Sequence, residues 1–432
     1  MHIFVDLMRL CVNGKVMEAR MLQRNLGAVQ VAALLVSASY GVAFLLGSGE
    51  MAVHSGMAGS LYPIITALGM LALALAAPTL WRGRQLIWDV FGERYGPVVR
   101  KLVALLSLVW MAGVLAAQIH GGIAVLVAVG LPPTYALTLI AAALLVMSSI
   151  ELGVASMFFA CCLLATNIVL VHALIDCDGL NVYLHAWPSF FQAVRAAPRA
   201  ETLVTIAAVG FLVITGSDYQ QFAIAARRAR DAWLGCTLAS LFLMVCGFLP
   251  AATIVAALHA GRLAGLTDTA SSLPWIMLQT SGTMGMVCVG VILLAALGSG
   301  TAITRAMSSA LEGLQQGNDR HGFAWRVLIT AAGCAIATDG QAIVSTIVSL
   351  NTVYVAAVGL LFLLHETGQR VAPRCASWML MSGAATSLFV SAMNWTGVGD
   401  LPGWLPLPAG LLISACALVA WKSARILGRV RS

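Results

Sequence analysis

An all-α membrane protein of about twelve transmembrane helices, arranged as two inverted five-helix repeats plus two C-terminal helices, is the fold class the sequence predicts. Three observations predict it. Of 432 residues, 60% are apolar and only 9% are charged, whereas soluble domains carry about a quarter charged residues. Apolar runs close to the roughly 20 residues that cross a bilayer recur as far as the C-terminus. The first and sixth of these runs are both interrupted by small and polar residues, and they lie five runs apart.

The expected spans are 27–52, 57–80, 101–129, 132–150, 153–175, 201–217, 232–259, 283–309, 324–340, 342–366, 375–395 and 405–424. Together they make one transmembrane domain, 25–424, with repeat one at about 27–175, repeat two at about 201–366 and extra helices at 375–424. The longest polar gap, Asp176 to Arg199, is too short for a soluble domain. Trp81, Trp187, Trp233, Trp275, Trp325, Trp395, Trp404 and Trp421 fall near the span ends, where amphipathic rings settle at the membrane interface. Pro132-Pro133 opens span 4, a harmless first-turn position. Pro250 lies inside span 7 and is expected to kink it.

Span 1 cannot be one plain helix. It runs apolar from Leu26 to Val36, reads Ser37-Ala38-Ser39-Tyr40-Gly41, turns apolar to Leu46, and ends in Gly47-Ser48-Gly49-Glu50. Small and hydroxylic residues in mid-membrane let a helix unwind and offer carbonyls to a ligand or cation. Span 6 behaves alike: Leu203 to Thr215 is too short to cross regularly before Gly216-Ser217-Asp218-Tyr219-Gln220-Gln221. Interrupted segments at matching positions of two halves point to a binding site between them, and an odd repeat of five inverts the second half.

Charge placement orients the chain. With the N-terminus inside, 21 of the 24 lysines and arginines fall on the inner side and only Arg195, Arg199 and Arg262 outside, so both termini are expected in the cytoplasm. Met1 to Arg24 scatters Arg9, Lys15, Arg20 and Arg24 among apolar residues without a cleavage-like site, and reads as a cytoplasmic segment. Residues 425–432 read as a basic cytoplasmic tail. The net charge of +7 is thus a topology signal and makes no case for nucleic acid. The ten cysteines form no CxxC pair and only Cys177 falls in an outer loop, so no disulfide framework follows. Cys161-Cys162 reads as a pair of buried small hydrophobes. No enzyme constellation stands out: His365-Glu366 continues as Thr367-Gly368-Gln369, and no phosphate loop occurs. No cofactor is expected.

Polar groups inside the spans are few, and each is expensive in lipid. Among them are Ser37, Ser39 and Tyr40 in span 1, Gln118 and His120 in span 3, and Asn167 and His172 in span 5. Span 8 adds Ser299-Gly300-Thr301 and Thr304, and span 10 adds Asn351, Thr352 and Tyr354. Hydroxyls in such helices usually bond their own i−4 carbonyl. Ser299 is expected at a depth that span 1 shares, where a hydroxyl beside unwound carbonyls suits a hard cation. Glu50 is expected to be solvated or capping, Asp218 to cap a helix near the cytoplasmic face, and Arg305 to snorkel to the inner surface.

The order of these features from Glu18 to about Val390 resembles the sodium:solute symporter family, whose members have the leucine-transporter-type inverted-repeat fold. Glu18-Ala19-Arg20-Met21-Leu22 is similar to the segment leading into that family's first core helix, and Ser37-Ala38-Ser39 through Gly47-Ser48-Gly49 to its broken helix. Phe91-Gly92-Glu93-Arg94-Tyr95-Gly96 is similar to its cytoplasmic stretch, and Asp218-Tyr219-Gln220-Gln221-Phe222 with Ala225-Ala226 to its sixth-helix segment. Ala295-Ala296-Leu297-Gly298-Ser299 is similar to its sodium-binding helix. The chain departs from the family pattern at Gly300 in the hydroxyl pair and at Gln221, and it has no carboxylate in the span 1 break.

The resemblance implies a secondary active transporter that moves a small polar solute across the lipid bilayer by alternating access, with Na+ or H+ as a coupling ion. It implies a Na+ site from the carbonyls of Ser37, Tyr40 and Ala296 with the Ser299 hydroxyl. It implies solute contacts near Ser39, Tyr40, Gly41, Gln118, Thr215 and Asn351, and an integral multi-pass protein of the plasma (inner) membrane. Ser217-Asp218-Tyr219 also resembles the nucleobase–cation symporters, which share the fold. A transporter-derived membrane sensor is a third reading.

Overall fold

The computed structural model describes residues 24–41, 43–149, 152–266, 268–280, 282–314, 322–338, 343–395 and 401–430. The expected N-terminal segment up to residue 23, including Glu18 to Leu22, lies outside them, as do residues 431 and 432 of the tail. Among the described residues, eight stretches are long and apolar enough to cross a membrane, and four shorter apolar helices accompany them.

Span 1 is split into Ala28–Ser39, the π-helical Ala43–Gly47 and Ser48–Ser55. Gly56, at φ +57, turns the chain into span 2, Leu61–Gly83; that left-handed conformation favours glycine. Spans 3, 4 and 5 are Pro97–Ala128, Pro133–Met147 and Leu152–Asp176. Span 6 is Arg199–Thr215 with Ser217–Ile224, and span 7 is Ala229–Cys246 with Leu249–His259. Spans 8 to 12 are Gly282–Leu314, Gly322–Ala337, Ile343–Glu366, Pro373–Trp395 and Pro406–Val430. The interruption of span 7 falls just before Pro250, which sits in the first turn of the second segment. A proline lacks only an N–H that the first turn leaves unpaired.

The two halves mirror each other in their connections. An amphipathic helix, Ile87–Tyr95, joins spans 2 and 3 on one face, and Ser272–Thr280 joins spans 7 and 8 on the other. Spans 1, 2, 6 and 7 pack as one bundle, while span 3 packs against spans 8, 9 and 10. Glycines set the close approaches in the bundle: a Cβ on Gly69 would stand 2.7 Å from Val213, and one on Gly235 2.5 Å from Val31.

Backbone contacts define the two faces. Where span 1 begins, the Leu26 N–H donates to the Ala225 carbonyl at 3.3 Å and the Arg227 N–H donates to Leu26 at 2.8 Å. The Trp81 indole N–H donates to the Ala226 carbonyl at 2.8 Å, and Arg24 lies over the Trp81 ring. On the opposite face the Ser271 hydroxyl donates to the Ala124 carbonyl at 3.5 Å, and Arg262 pairs with Asp176 at 2.5 Å. The gap from Asp176 to Arg199 folds into two short helices, Leu180–Leu184 and Ala186–Ala196. Trp187 and Phe190 of the second dock on Phe248, with ring centroids 5.1 and 5.6 Å away.

Two polar residues, Arg305 and Asp218, stand differently from expectation, and Glu50 caps as expected. Arg305 does not snorkel out; it is buried and its guanidinium donates to the carbonyls of Ser148 and Met147 at 3.3 and 3.4 Å. It thereby satisfies carbonyls that the end of span 4 leaves open. Glu50 caps a different helix from its own, accepting the Ile343 N–H at 3.2 Å where span 10 starts. Asp218 is buried, because span 6 resumes as a helix through Ile224 and carries it inward.

Candidate solute and cation site

The break in span 1 is built by what converges on it. The first helix ends at Tyr40, whose N–H donates to the Val36 carbonyl at 2.6 Å. The Tyr40 ring lies 4.5 Å from that of Phe44, and its hydroxyl donates to the Asn167 side-chain oxygen of span 5 at 2.9 Å. At Gly41, a Cβ would stand 2.5 Å from the Ser299 Cβ and 2.6 Å from the Gln118 Oε1. Only a residue without a side chain lets spans 3 and 8 meet span 1 there.

Ser299 closes this meeting by donating its hydroxyl to the Ala38 carbonyl at 2.6 Å. Ala38 lies among the residues whose carbonyls were expected at a cation, Ser37 and Tyr40. Ser37 is buried beside it. Ala296 lies on the Ser299 helix, with its side chain outside the described ones. The other hydroxyls of span 8 bond within their helix: Thr301 donates to Gly298 at 2.7 Å and Thr304 to Gly300 at 2.8 Å. The expected donors are all neutral oxygens, a chemistry that fits a hard monovalent cation better than a soft transition metal. Among the described residues, no three His, Cys, Asp or Glu side chains come together to hold a metal ion.

The break in span 6 is more polar. Gly216 leaves the helical conformation, at φ −67 and ψ 122, and a Cβ there would stand 2.6 Å from the Asp218 Oδ1. The Thr215 hydroxyl donates to its own helix at the Phe211 carbonyl, 2.9 Å. The Ser217 hydroxyl reaches the Met111 sulfur of span 3 at 3.9 Å. Around this break several buried polar atoms have no hydrogen-bond partner among the described residues. They are the Asp218 Oδ1, the Ser107 and Tyr354 hydroxyls and the Trp110 indole N–H; both amide atoms of Asn351, three residues before Tyr354 on span 10, are buried and unpartnered too. Tyr354 lies near enough to Thr215 and Ser107 to interact with them, yet makes no hydrogen bond of good geometry. Aromatic rings wall the cluster, with Trp110 at 6.2 Å and Phe211 at 6.4 Å from Tyr354.

The two breaks adjoin. Tyr219 is within hydrogen-bonding reach of Ser39, and Asp218 acts electrostatically on Tyr62, Tyr219 and Tyr354. Of the expected solute contacts, Tyr40, Gly41 and Gln118 gather at the span 1 break and Thr215 at the span 6 break. Asn351 lies on span 10, three residues before Tyr354, buried and with its amide unpartnered among the described residues. Ser39 spends its hydroxyl on the Leu35 carbonyl at 2.8 Å. Ser107, Trp110 and Asp218 were not expected there. Asp218 had a sequence signal, a lone carboxylate followed by the apolar run Phe222-Ala223-Ile224-Ala225-Ala226. Trp110 and Ser107 had none, since both read as ordinary helix residues.

No protein-family model matches the chain. No curated protein matches it either. Solved structures do. A Na+-coupled sialic acid symporter, in a substrate-bound outward-open state, is similar with a TM-score of 0.70 at 13% identity, covering 96% of this chain and 95% of that one. A mutant of the Eremococcus coleocola manganese transporter is similar with a TM-score of 0.58 at 14% identity, covering 93% of this chain and 94% of that one. Along nearly its whole length the chain therefore has the inverted-repeat fold that these transporters share.

Proposed function

We propose that the chain is a secondary active transporter that carries a small polar solute across the membrane by alternating access. The bundle of spans 1, 2, 6 and 7 rocks against the rest around a site at the two broken helices. The observation that carries this reading is the cluster of buried, unpartnered polar atoms at the span 6 break. Each such atom costs about 1–3 kcal/mol when left unpaired in an apolar interior, so a polar visitor, water or solute, is favoured there. The groups are mostly neutral hydrogen-bonders, which suits an uncharged or zwitterionic solute over a polyanion.

Na+ is the coupling ion the span 1 break suits, through the carbonyls of Ser37, Tyr40 and Ala296 and the Ser299 hydroxyl. The hydroxyl donates its proton to the Ala38 carbonyl and keeps its lone pairs for the ion. Ser39, Tyr40, Gly41, Gln118, Thr215 and Asn351 are the proposed solute contacts, and Asp218 joins them. The face on which span 1 begins lies in the cytoplasm, in agreement with the bias of Lys and Arg to that side. The membrane is the plasma (inner) membrane.

Purified protein in proteoliposomes tests the reading with a panel of amino acids, sugars, nucleobases and metal ions, each with and without a Na+ or pH gradient. Saturable uptake above empty vesicles for one solute class is the expected result. Uptake at the empty-vesicle level for every solute under every gradient refutes it.

A further inference from the structure

On the face where span 1 begins, away from both broken helices, a cavity of about 590 Å³ is lined by Arg94, Tyr95, Gly368, Arg370 and Val371. Among the described residues, its lining holds two guanidinium groups and no carboxylate. One wall is the end of the helix Ile87–Tyr95, where Arg94 donates to the Gln369 carbonyl at 3.4 Å. The other is the turn after span 10, where Gly368 at φ +71 reverses the chain and brings Arg370 to the cavity.

Basic residues on this face orient a membrane protein without binding anything. What sets this pair apart is the third group. Tyr95 is only 2% exposed and lines the cavity, and its hydroxyl lies near enough to Arg94 to interact with it yet makes no hydrogen bond of good geometry among the described residues. Phe91 and His365 fix its ring, at centroid distances of 5.8 and 6.1 Å. The His365 Nδ1 is buried and without a partner among the described residues as well. Burial pushes the Tyr95 hydroxyl above the ordinary tyrosine value despite the nearby Arg94, so it remains a neutral donor.

We propose that this cavity binds a phosphate group, held between the Arg94 and Arg370 guanidinium groups with the Tyr95 hydroxyl as a donor. Planar guanidinium forks match the oxygens of a phosphate in pairs, and a fixed hydroxyl adds a directed hydrogen bond. The group can arrive as a soluble phosphate or as the headgroup of an anionic lipid. Either would tie the linker between spans 2 and 3 to the turn between spans 10 and 11. The site lies outside the broken helices, so it stands or falls separately from the transport reading.

The test uses the full-length protein in nanodiscs of phosphatidylcholine, titrated with inorganic phosphate against chloride at equal ionic strength. A parallel arm replaces part of the lipid with phosphatidylglycerol. The expected result is a rise in Tm of about 2 °C in at least one arm, lost in Arg94→Gln/Arg370→Gln and kept in the Arg82→Gln/Arg84→Gln control on the same face. A rise with inorganic phosphate alone assigns a soluble ligand; a rise with phosphatidylglycerol alone assigns a lipid headgroup. Tyr95→Phe, which preserves ring packing, is expected to weaken the response several-fold. No rise beyond chloride in either arm overturns the proposal. An equal rise in the double variant, or an unchanged affinity in Tyr95→Phe, does so too.

Discussion

Ser299 on span 8 donates its hydroxyl to the Ala38 carbonyl on span 1 at 2.6 Å, across 261 residues of chain. The bond ties the bundle of spans 1, 2, 6 and 7 to the rest of the molecule at the place where a cation is proposed to bind. Ser299→Ala removes the donor and one proposed ion ligand together. A stability loss of about 1 kcal/mol is expected, along with loss of any Na+-dependent rise in Tm. A Na+ response equal to wild type in thermal-shift titration would take Ser299 out of the ion site. Ser299→Thr keeps the hydroxyl and is expected to keep the response.

Gly41 is the residue that admits this contact. Its missing Cβ would meet Ser299 at 2.5 Å and Gln118 at 2.6 Å, so Gly41→Ala must push spans 3 and 8 away from span 1. Overpacking of this kind costs about 1–3 kcal/mol. The expected outcome is a lower Tm and uptake reduced at least tenfold, because the break is displaced from Ser299 and Gln118. Gly210 is a fair control, since the nearest atom to a Cβ there is 3.6 Å away; Gly210→Ala is expected to leave both quantities near wild type.

Most of this fold was legible in the sequence, and the reason is physical. A bilayer demands long apolar helices whose backbone groups are satisfied within the segment, so the spans announce themselves by composition. The two breaks were legible for the complementary reason, because Ser37 to Gly41 and Gly216 to Gln221 violate that demand. Positions within a helix are another matter. Trp110 and Ser107 read as ordinary residues of span 3, and only the packing of span 10 against it places them beside Tyr354. Asp218 was read as a cap near the membrane face because the apolar run ended at Thr215, whereas the helix resumes and carries the carboxylate inward. Arg305 was misplaced for a similar reason: its partners, the carbonyls of Met147 and Ser148, lie far away in sequence, with separations of 158 and 157.

Asp218 leads to the sharpest test of the solute site. Its Oδ1 has no partner among the described residues, and Tyr62, Tyr219 and Tyr354 are the side chains it acts on. Asp218→Asn preserves shape and the capability to hydrogen-bond, so the fold is expected to persist, with a helical circular dichroism spectrum like wild type. Uptake of the solute identified in proteoliposomes is expected to fall at least tenfold, about 1.4 kcal/mol or more. Uptake within twofold of wild type, in protein with an unchanged spectrum, would place Asp218 in a structural role alone.

Glu50 offers a test of the contact that joins spans 1 and 10 on the opposite face. Its carboxylate accepts the Ile343 N–H at 3.2 Å, and Gly47 nearby admits Val344 so closely that a Cβ would stand 2.6 Å from it. The end of span 1 is thus latched to the start of span 10. A charged acceptor on a helix N-terminus contributes about 0.5–2 kcal/mol, enough to set the balance between closed and open forms of that face. Glu50→Ala removes the latch, while Glu50→Gln keeps an acceptor without the charge. In a cysteine-free background carrying Asn351→Cys, a membrane-impermeant maleimide reports access from that face. Labelling is expected to speed up about threefold or more in Glu50→Ala and by less in Glu50→Gln. Equal rates in all three would show that packing at Gly47, rather than the carboxylate, keeps the face closed.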